Sequence, residues 1–260
     1  MNKILLIDAD FLKYRGREED RITKAFSDID NLIKELCAEA NVERFCLALS
    51  KGPYIKKDKH ASYKDKRPVH ADRTKLIESY LRYQYVTMTC TGYEADDICL
   101  SLKEAFPDII IASQDKDVYN TIEGTHLIPL KKIDSVTYRH AWKPVTKERA
   151  LAFKLKQLIM GDVSDGIYTP KGLGETTADT LISQGITPAE ILNIYMFGLD
   201  KPRKIEGLGL IAGAELFLKN YYLLSPLDPF VGMSTEEKSD FIAHMTNDVV
   251  IQDDSFLGLI

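Results

Sequence analysis

Nine carboxylates fall in four short clusters along this chain. They are Asp8 and Asp10 in ILLIDAD, Glu94, Asp96 and Asp97 in GYEADD, Asp115 and Asp117 in ASQDKD, and Asp162 and Asp165 in GDVSDG. Each cluster follows, or opens beside, an apolar stretch that reads as a strand or a helix end. A fold that brings strand ends together would gather all four. Carboxylates held that close repel one another, and burial raises their pKa values until some take up protons. Hard divalent cations remove the conflict, because Mg²⁺ and Mn²⁺ prefer oxygen ligands and keep several waters. The chemistry to expect is metal-dependent phosphodiester hydrolysis. A zinc site is not expected: Cys37, Cys46, Cys90 and Cys99 form no CxxC pair, and the five histidines show no HxH or HExxH spacing.

The elements that must position these acids can be read from periodicity. KILLIDA is a short apolar run ending in acids, which reads as a buried parallel strand. Ile22, Phe26, Ile29, Ile33 and Leu36 predict an amphipathic helix over about 20–40. ERFCLALS, YVTMT and DIIIAS read as three more strands, and GYEADDICLSLKEAF as a helix with acids in its first turn. The stretch 51–68 has no apolar period and reads as a loop or mobile arch. Strands alternating with helices imply an α/β fold, a mostly parallel central sheet flanked by helices, with ligands beyond the carboxyl ends of the strands. Asp8, Asp10, Asp115 and Asp117 fall at such ends. After Thr146 the chain reads as helical, with a Gly- and Pro-punctuated loop at 161–174, two short helices, a longer one over 208–224, and a polar tail. The expected organisation is a catalytic α/β region over 1–145 and a helical region over 146–260 packed as one unit.

The 260 residues are 45% hydrophobic and 28% charged, as in ordinary globular proteins. No apolar run spans a membrane, the N-terminus turns acidic too early for a signal peptide and the cysteines form no CxxC pair, so a cytoplasmic protein is expected. The net charge of −5 argues against a nucleic-acid partner until it is mapped. Without the nine clustered acids, 30 acids face 34 bases. From Lys51 to Arg82 ten bases stand against four acids, a local excess able to follow a phosphate backbone. Tyr14, Tyr54 and Tyr63 are candidates for stacking on unpaired bases. Tyr85 opens an apolar strand and is expected in the core.

Five motifs in order resemble the flap endonuclease family of 5′-nucleases, which includes the 5′-nuclease domain of bacterial DNA polymerase I and stand-alone phage enzymes. IDADFLKYR at 7–15 resembles the family's VDGxxLxYR, and SYKDKRP at 62–68 its YKxxR arch. GYEADD resembles GxEADD, ASQDKD resembles xTGDKD, and GDVSDGIYTPKGLGETTA at 161–178 resembles GDxSDNIPGVxGIGxKTA. The set spans residues 7 to 178. It implies a two-ion site beside the scissile phosphate. By correspondence, Asp8, Glu94 and Asp96 take the first ion, and Asp96, Asp115, Asp117 and Asp165 the second. Asp97 and Asp162 would be outer ligands. Lys56, Lys64 and Arg67 would hold the phosphate, and Tyr14, Arg15 and Tyr63 would contact DNA. The resemblance further implies a helix–loop–helix (helix-3-turn-helix) duplex grip, with Lys171, Gly172, Gly174, Thr176 and Thr177 near the phosphates and K⁺ on the carbonyls of 172–177. The implied substrates are 5′-flap, nicked or duplex DNA and RNA–DNA hybrids, met by a monomer.

One departure stands out. The family's second strand ends in an aspartate that binds the first metal, and that position falls here on Leu49 or Ser50. Asp10, two residues past Asp8 and on the same side of an extended strand, is a candidate substitute. Two other readings stay open: an RNase of the related PIN-type fold, which should lack the GLGETTA loop, and a branched-DNA binder with an attenuated site.

Overall fold

Ile4, Leu5, Leu6 and Ile7 are apolar on both alternating sides, so a strand here must be covered on both faces. The structure is a computed structural model, and it describes residues 3–14, 21–64, 72–132, 138–162, 165–198, 203–205 and 209–248. Along the chain come β1 (Leu5–Asp8), a 3-10 helix (Ala9–Tyr14), α1 (Ile22–Ala40), β2 (Arg44–Ala48), α2 (Ile55–Lys59), α3 (Asp72–Gln84), β3 (Thr87–Met88), α4 (Ala95–Ala105), β4 (Ile110–Ala112), α5 (Lys116–Tyr119), β5 (Gly124–Lys132) and β6 (Tyr138–Val145). Then follow α6 (Lys147–Met160), α7 (Glu175–Ser183), α8 (Pro188–Gly198), β7 (Arg203–Ile205), β8 (Gly209–Ile211), α9 (Gly213–Leu224), α10 (Thr235–His244) and β9 (Asn247–Asp248). The chain divides into two compact units. The first comprises Met1–Gly52, Val69–Thr146 and Leu227–Ile260, the second Pro53–Pro68 and Lys147–Pro226. The units are therefore not the consecutive halves 1–145 and 146–260.

The first unit holds a mostly parallel sheet flanked by helices. Its strand order is β3-β2-β1-β4-β5-β6, with β9 also paired to β2. β1 runs parallel to β2 on one side and β4 on the other, with Asp8 opposite Ala48 and Ile7 opposite Ala112. β5 and β6 close one edge as an antiparallel hairpin, and β9 is antiparallel to β2. Leu5, Ile7, Phe45 and Leu47 pack on one face with Phe26, Ile29 and Ile33 of α1 and Ile77 and Leu81 of α3. Ile4, Leu6, Cys46 and Ala48 pack on the other with Ile98, Cys99 and Leu102 of α4 and Ile242 of α10. Asp8 lies two residues after Leu6, so it leaves the sheet on the α4 side. Tyr85 is buried as expected, its hydroxyl donating to Asp30 at 2.6 Å.

Three readings of the sequence need correction. β1 ends at Asp8 and turns into a 3-10 helix, so Asp10 does not share an extended strand with Asp8. The stretch 51–68 is not all loop, since α2 lies within it. The tail after Ser225 forms α10 and β9. The β5–β6 hairpin lies in a stretch to which the sequence assigned no element.

The second unit is built around Leu158 and Ile159 of α6, Ala178 of α7, Ile191 and Tyr195 of α8, and Leu216 and Phe217 of α9. Tyr195 is fully buried and satisfied, its hydroxyl donating to the Leu158 carbonyl at 2.7 Å. α8 and α9 meet so closely at Gly213 that a Cβ there would stand 2.2 Å from the Tyr195 carbonyl oxygen. Gly213→Ala must force the two helices apart. It should destabilise the protein by about 1–3 kcal/mol, the usual range for overpacking. A thermal melt matching the wild type would show that the helices are not in contact there.

Candidate active site

The acids of the first unit converge at the carboxyl ends of β1 and β4 and the start of α4. Asp8 is 6% exposed. Ser113, the first residue past β4, donates its hydroxyl to Asp8 Oδ2 at 2.7 Å. The same Ser113 oxygen accepts the Asp115 N–H at 2.9 Å, and Asp115 in turn caps α5 by accepting the Asp117 N–H at 2.8 Å. One serine thus fixes the first cluster to the third. Burial, then the charges of Asp10 and Asp115, push the Asp8 carboxyl up to about 7, and the Ser113 bond only partly opposes them. The wholly buried Cys99 thiol beneath is also pushed up, by burial and by the charges of Asp8, Asp96 and Asp10. Asp8, Asp96 and Asp10 therefore all lie near this thiol.

The second cluster arrives on α4. Ligand oxygens of Glu94, Asp96 and Asp97 all lie within 4.8 Å of one another. Their work is divided. Asp96 is half-buried. Asp97 is 1% exposed and accepts the Glu94 N–H at 3.2 Å and the Leu227 N–H at 2.8 Å. It caps α4 and ties the helix to the chain that enters α10. Asp97→Ala would strand two N–H groups. We expect a loss of about 2–4 kcal/mol in metal-free protein, read by urea unfolding in EDTA. A side chain that served only a metal would leave that measurement unchanged.

Asp10 is committed to the end of β2. Its Oδ1 accepts the Ser50 N–H at 3.2 Å and Lys13 Nζ at 2.7 Å, and its Oδ2 pairs with the Ser50 hydroxyl. The Ala95 N–H, in the first turn of α4, donates to Ser50 Oγ at 2.8 Å. Leu49 is fully buried in the core. Ser50 is thus the residue at the position where the missing aspartate was sought, and Asp10 lies directly against it. Ser50 was named in the sequence only as a place where an aspartate is missing, and Lys13 and Ser113 were not singled out. Both of these carried a signal, their places inside IDADFLKYR and ASQDKD.

Apart from Tyr14, the remaining candidates lie in the second unit or outside the described residues. Asp162 and Asp165 flank a tight turn in which Asp162 and Ile167 exchange backbone hydrogen bonds at 2.8 and 3.0 Å. Lys64 is in the left-handed region at φ 52, uncommon for a lysine, with Nζ 4.9 Å from the Tyr63 ring centre. Tyr63 is 4% exposed and packs with Ile167 and Leu223, so it is a core residue with no open face for a base. Lys56 is buried as well. Tyr14 is exposed; Arg15 and Arg67 lie outside the described residues. Gly172 takes φ +90, and a Cβ on it or on Gly174 would meet nothing within 4 Å. The two glycines thus leave backbone open just before α7, beside exposed Lys171 and Thr176. Thr177 donates to the Gly172 carbonyl at 3.4 Å. Among the described residues no helix is long and apolar enough to cross a membrane.

An oxygen-only donor set, crowded enough to hold a proton on Asp8 near neutrality, fits a hard divalent cation. No protein-family model matches the chain. It is 24% identical over 203 residues, 70% of its length, to the thermostable DNA polymerase I of Thermus thermophilus. It is 23% identical over 238 residues, 82% of its length, to DNA polymerase I of Caldicellulosiruptor bescii. It spans about a quarter of each, 24% and 28%. Among solved structures it resembles the bacteriophage T5 flap endonuclease in a pseudo-enzyme-product complex with DNA and metal ions. There the TM-score is 0.65 at 16% identity, covering 94% of this chain and 98% of that one. The chain thus shares the fold of that phage T5 structure.

Proposed function

We propose that a chain with the phage 5′-nuclease fold and this acidic edge is a divalent-metal-dependent 5′-nuclease. It would hydrolyse phosphodiesters of duplex or branched DNA near a 5′ end, with RNA–DNA primer hybrids as a second substrate. The observation that carries the reading is the set of hydrogen bonds that ties Asp8 to Asp115 through Ser113 and Asp10 to the start of α4 through Ser50, with the Glu94, Asp96 and Asp97 oxygens clustered on α4. Mg²⁺ or Mn²⁺ held there would lower the pKa of a bound water and offset charge on the leaving 3′-oxygen. Asp8, Glu94 and Asp96 would hold one ion, and Asp96, Asp115 and Asp117 a second. Ser113 orients Asp8 and Asp115, and Asp97 sets the start of α4, so the first-unit ligands are fixed before substrate arrives. Lys64 and Arg67 would hold the phosphate. The open backbone at Gly172 and Gly174, with Lys171, Thr176, Thr177 and a K⁺ on the loop carbonyls, would grip the duplex. Recognition would be of shape and backbone rather than base sequence.

The test is incubation with a 5′-labelled flap and with a blunt duplex, in Mg²⁺, Mn²⁺ or EDTA, followed by sizing of the products. Short labelled fragments from the flap mark endonuclease action, and mononucleotides from the duplex mark exonuclease action. Tight flap binding without cleavage under any metal overturns the reading. It would favour a branched-DNA binder, to which Ser50 at the end of β2 and the Lys13–Asp10 pair give specific support.

A further inference from the structure

Lys219 lies on α9 and is only 6% exposed, a costly place for an ammonium unless its donors are met. Its Nζ donates to the Ser62 hydroxyl at 2.8 Å and to the Gly166 carbonyl at 3.3 Å, and stands 5.8 Å from the centre of the Tyr168 ring. Ser62 belongs to the basic stretch that carries Lys64. Gly166 directly follows Asp165. The two pieces of chain also touch without the lysine. A Cβ on Gly166, at φ +75, would lie 2.4 Å from the Ser62 carbonyl oxygen and 3.5 Å from Tyr63 Cα, and Tyr63 packs on Ile167 and Leu223. Three stretches distant in sequence therefore meet at one buried charge. None of the five motifs includes position 219.

We propose that Lys219 is a positioning residue that locks the base of the basic stretch onto the turn bearing Asp162 and Asp165. The lock fixes the phosphate-holding cation of Lys64 relative to the carboxylates of that turn. The catalytic meaning of this rests on the proposed nuclease reading; the lock itself does not.

Lys219→Met keeps the buried stem and removes the donors, while Lys219→Arg keeps a charged donor group. Hydrogen–deuterium exchange should rise about tenfold or more in peptides covering 53–64 and 161–168 together in Lys219→Met, with β1 and β2 unchanged. Lys219→Arg should restore much of the protection. Ser62→Ala, which deletes one bond with little risk to folding, should loosen the same two segments less. On a labelled flap, Lys219→Met should lower kcat at least tenfold with KM little changed, since positioning acts on the transition state. Loosening that spreads to β1 and β2, or a change confined to KM, overturns the proposal; so does unaltered exchange at 53–64 in both Lys219→Met and Ser62→Ala. If the wild type cuts no substrate, the nuclease reading fails, and the exchange results alone still decide the lock.

Discussion

Asp8→Asn should abolish cleavage and, in the same molecule, raise the stability of the metal-free protein. Both effects come from one conflict. Buried Asp8 keeps its proton to about 7 in the folded chain, against an ordinary value of 3.8. Between those two pH values the folded protein holds a proton that the unfolded chain has released. Folding stability tied to Asp8 is therefore complete below about pH 4 and is lost as pH rises to about 7. At about 1.4 kcal/mol per pH unit the loss is on the order of 4 kcal/mol. Asparagine carries no charge at any of these values and still accepts the Ser113 hydrogen bond. In EDTA the variant should melt with the wild type near pH 4 and well above it at pH 8. Mn²⁺ should raise the wild-type melting temperature at pH 8 and leave the variant nearly unmoved, because the cation needs the carboxylate ionised. Cleavage should fall on the order of a thousandfold, the scale for losing a preorganised electrostatic contact to reacting charge. A variant less stable than wild type at pH 8 in EDTA would show that Asp8 is an ordinary structural acid.

How far this site could be read in the sequence depended on which signals were local. Strands β1, β2 and β4 were legible because doubly covered strands are apolar on both sides, and acids follow β1 and β4. The face of α1 was legible because eight buried side chains repeat at helical spacing. The β5–β6 hairpin was not, since Pro129, Pro144 and several lysines and histidines obscure a period of two, as edge strands often do. α10 buries only Ile242 fully and looks polar all round, yet its capping box, Ser234 with Glu237, was a readable start signal. The direction of Asp10 was misjudged because a strand was extended past its end. Nothing in four residues marks the switch to a 3-10 turn. The partnership of Ser50, Lys13 and Asp10 is a matter of tertiary contact, and no spacing rule reaches from 10 to 50.

That partnership makes the second large effect testable by exchange of residues. Asp10 lies in the 3-10 helix that follows β1, but its carboxylate is bound to the backbone N–H and hydroxyl of Ser50, just past β2. Ser50 is itself one hydrogen bond from the start of α4, where Glu94 and Asp96 stand. If Asp10 supplies the negative charge that an aspartate at β2 would otherwise provide, the site needs one carboxylate there and not two. Asp10→Ala should then raise the Mg²⁺ concentration needed for half-maximal cleavage by about 10–100-fold, the range for losing a group that tunes a metal site. Adding Ser50→Asp to that variant should return the requirement toward wild type, because the new carboxylate would face the N-terminus of α4, where negative charge is favoured. Ser50→Asp alone crowds a third acid against Asp10 and Asp8. It should lower metal-free stability while leaving the Mg²⁺ requirement close to wild type. Calorimetric titration of Mn²⁺ should follow the same ranking independently of turnover. A Mg²⁺ titration of Asp10→Ala that overlays the wild type removes substitution as an explanation. An impaired Asp10→Ala that Ser50→Asp cannot restore would instead assign Asp10 to holding Lys13 and Ser50 in place.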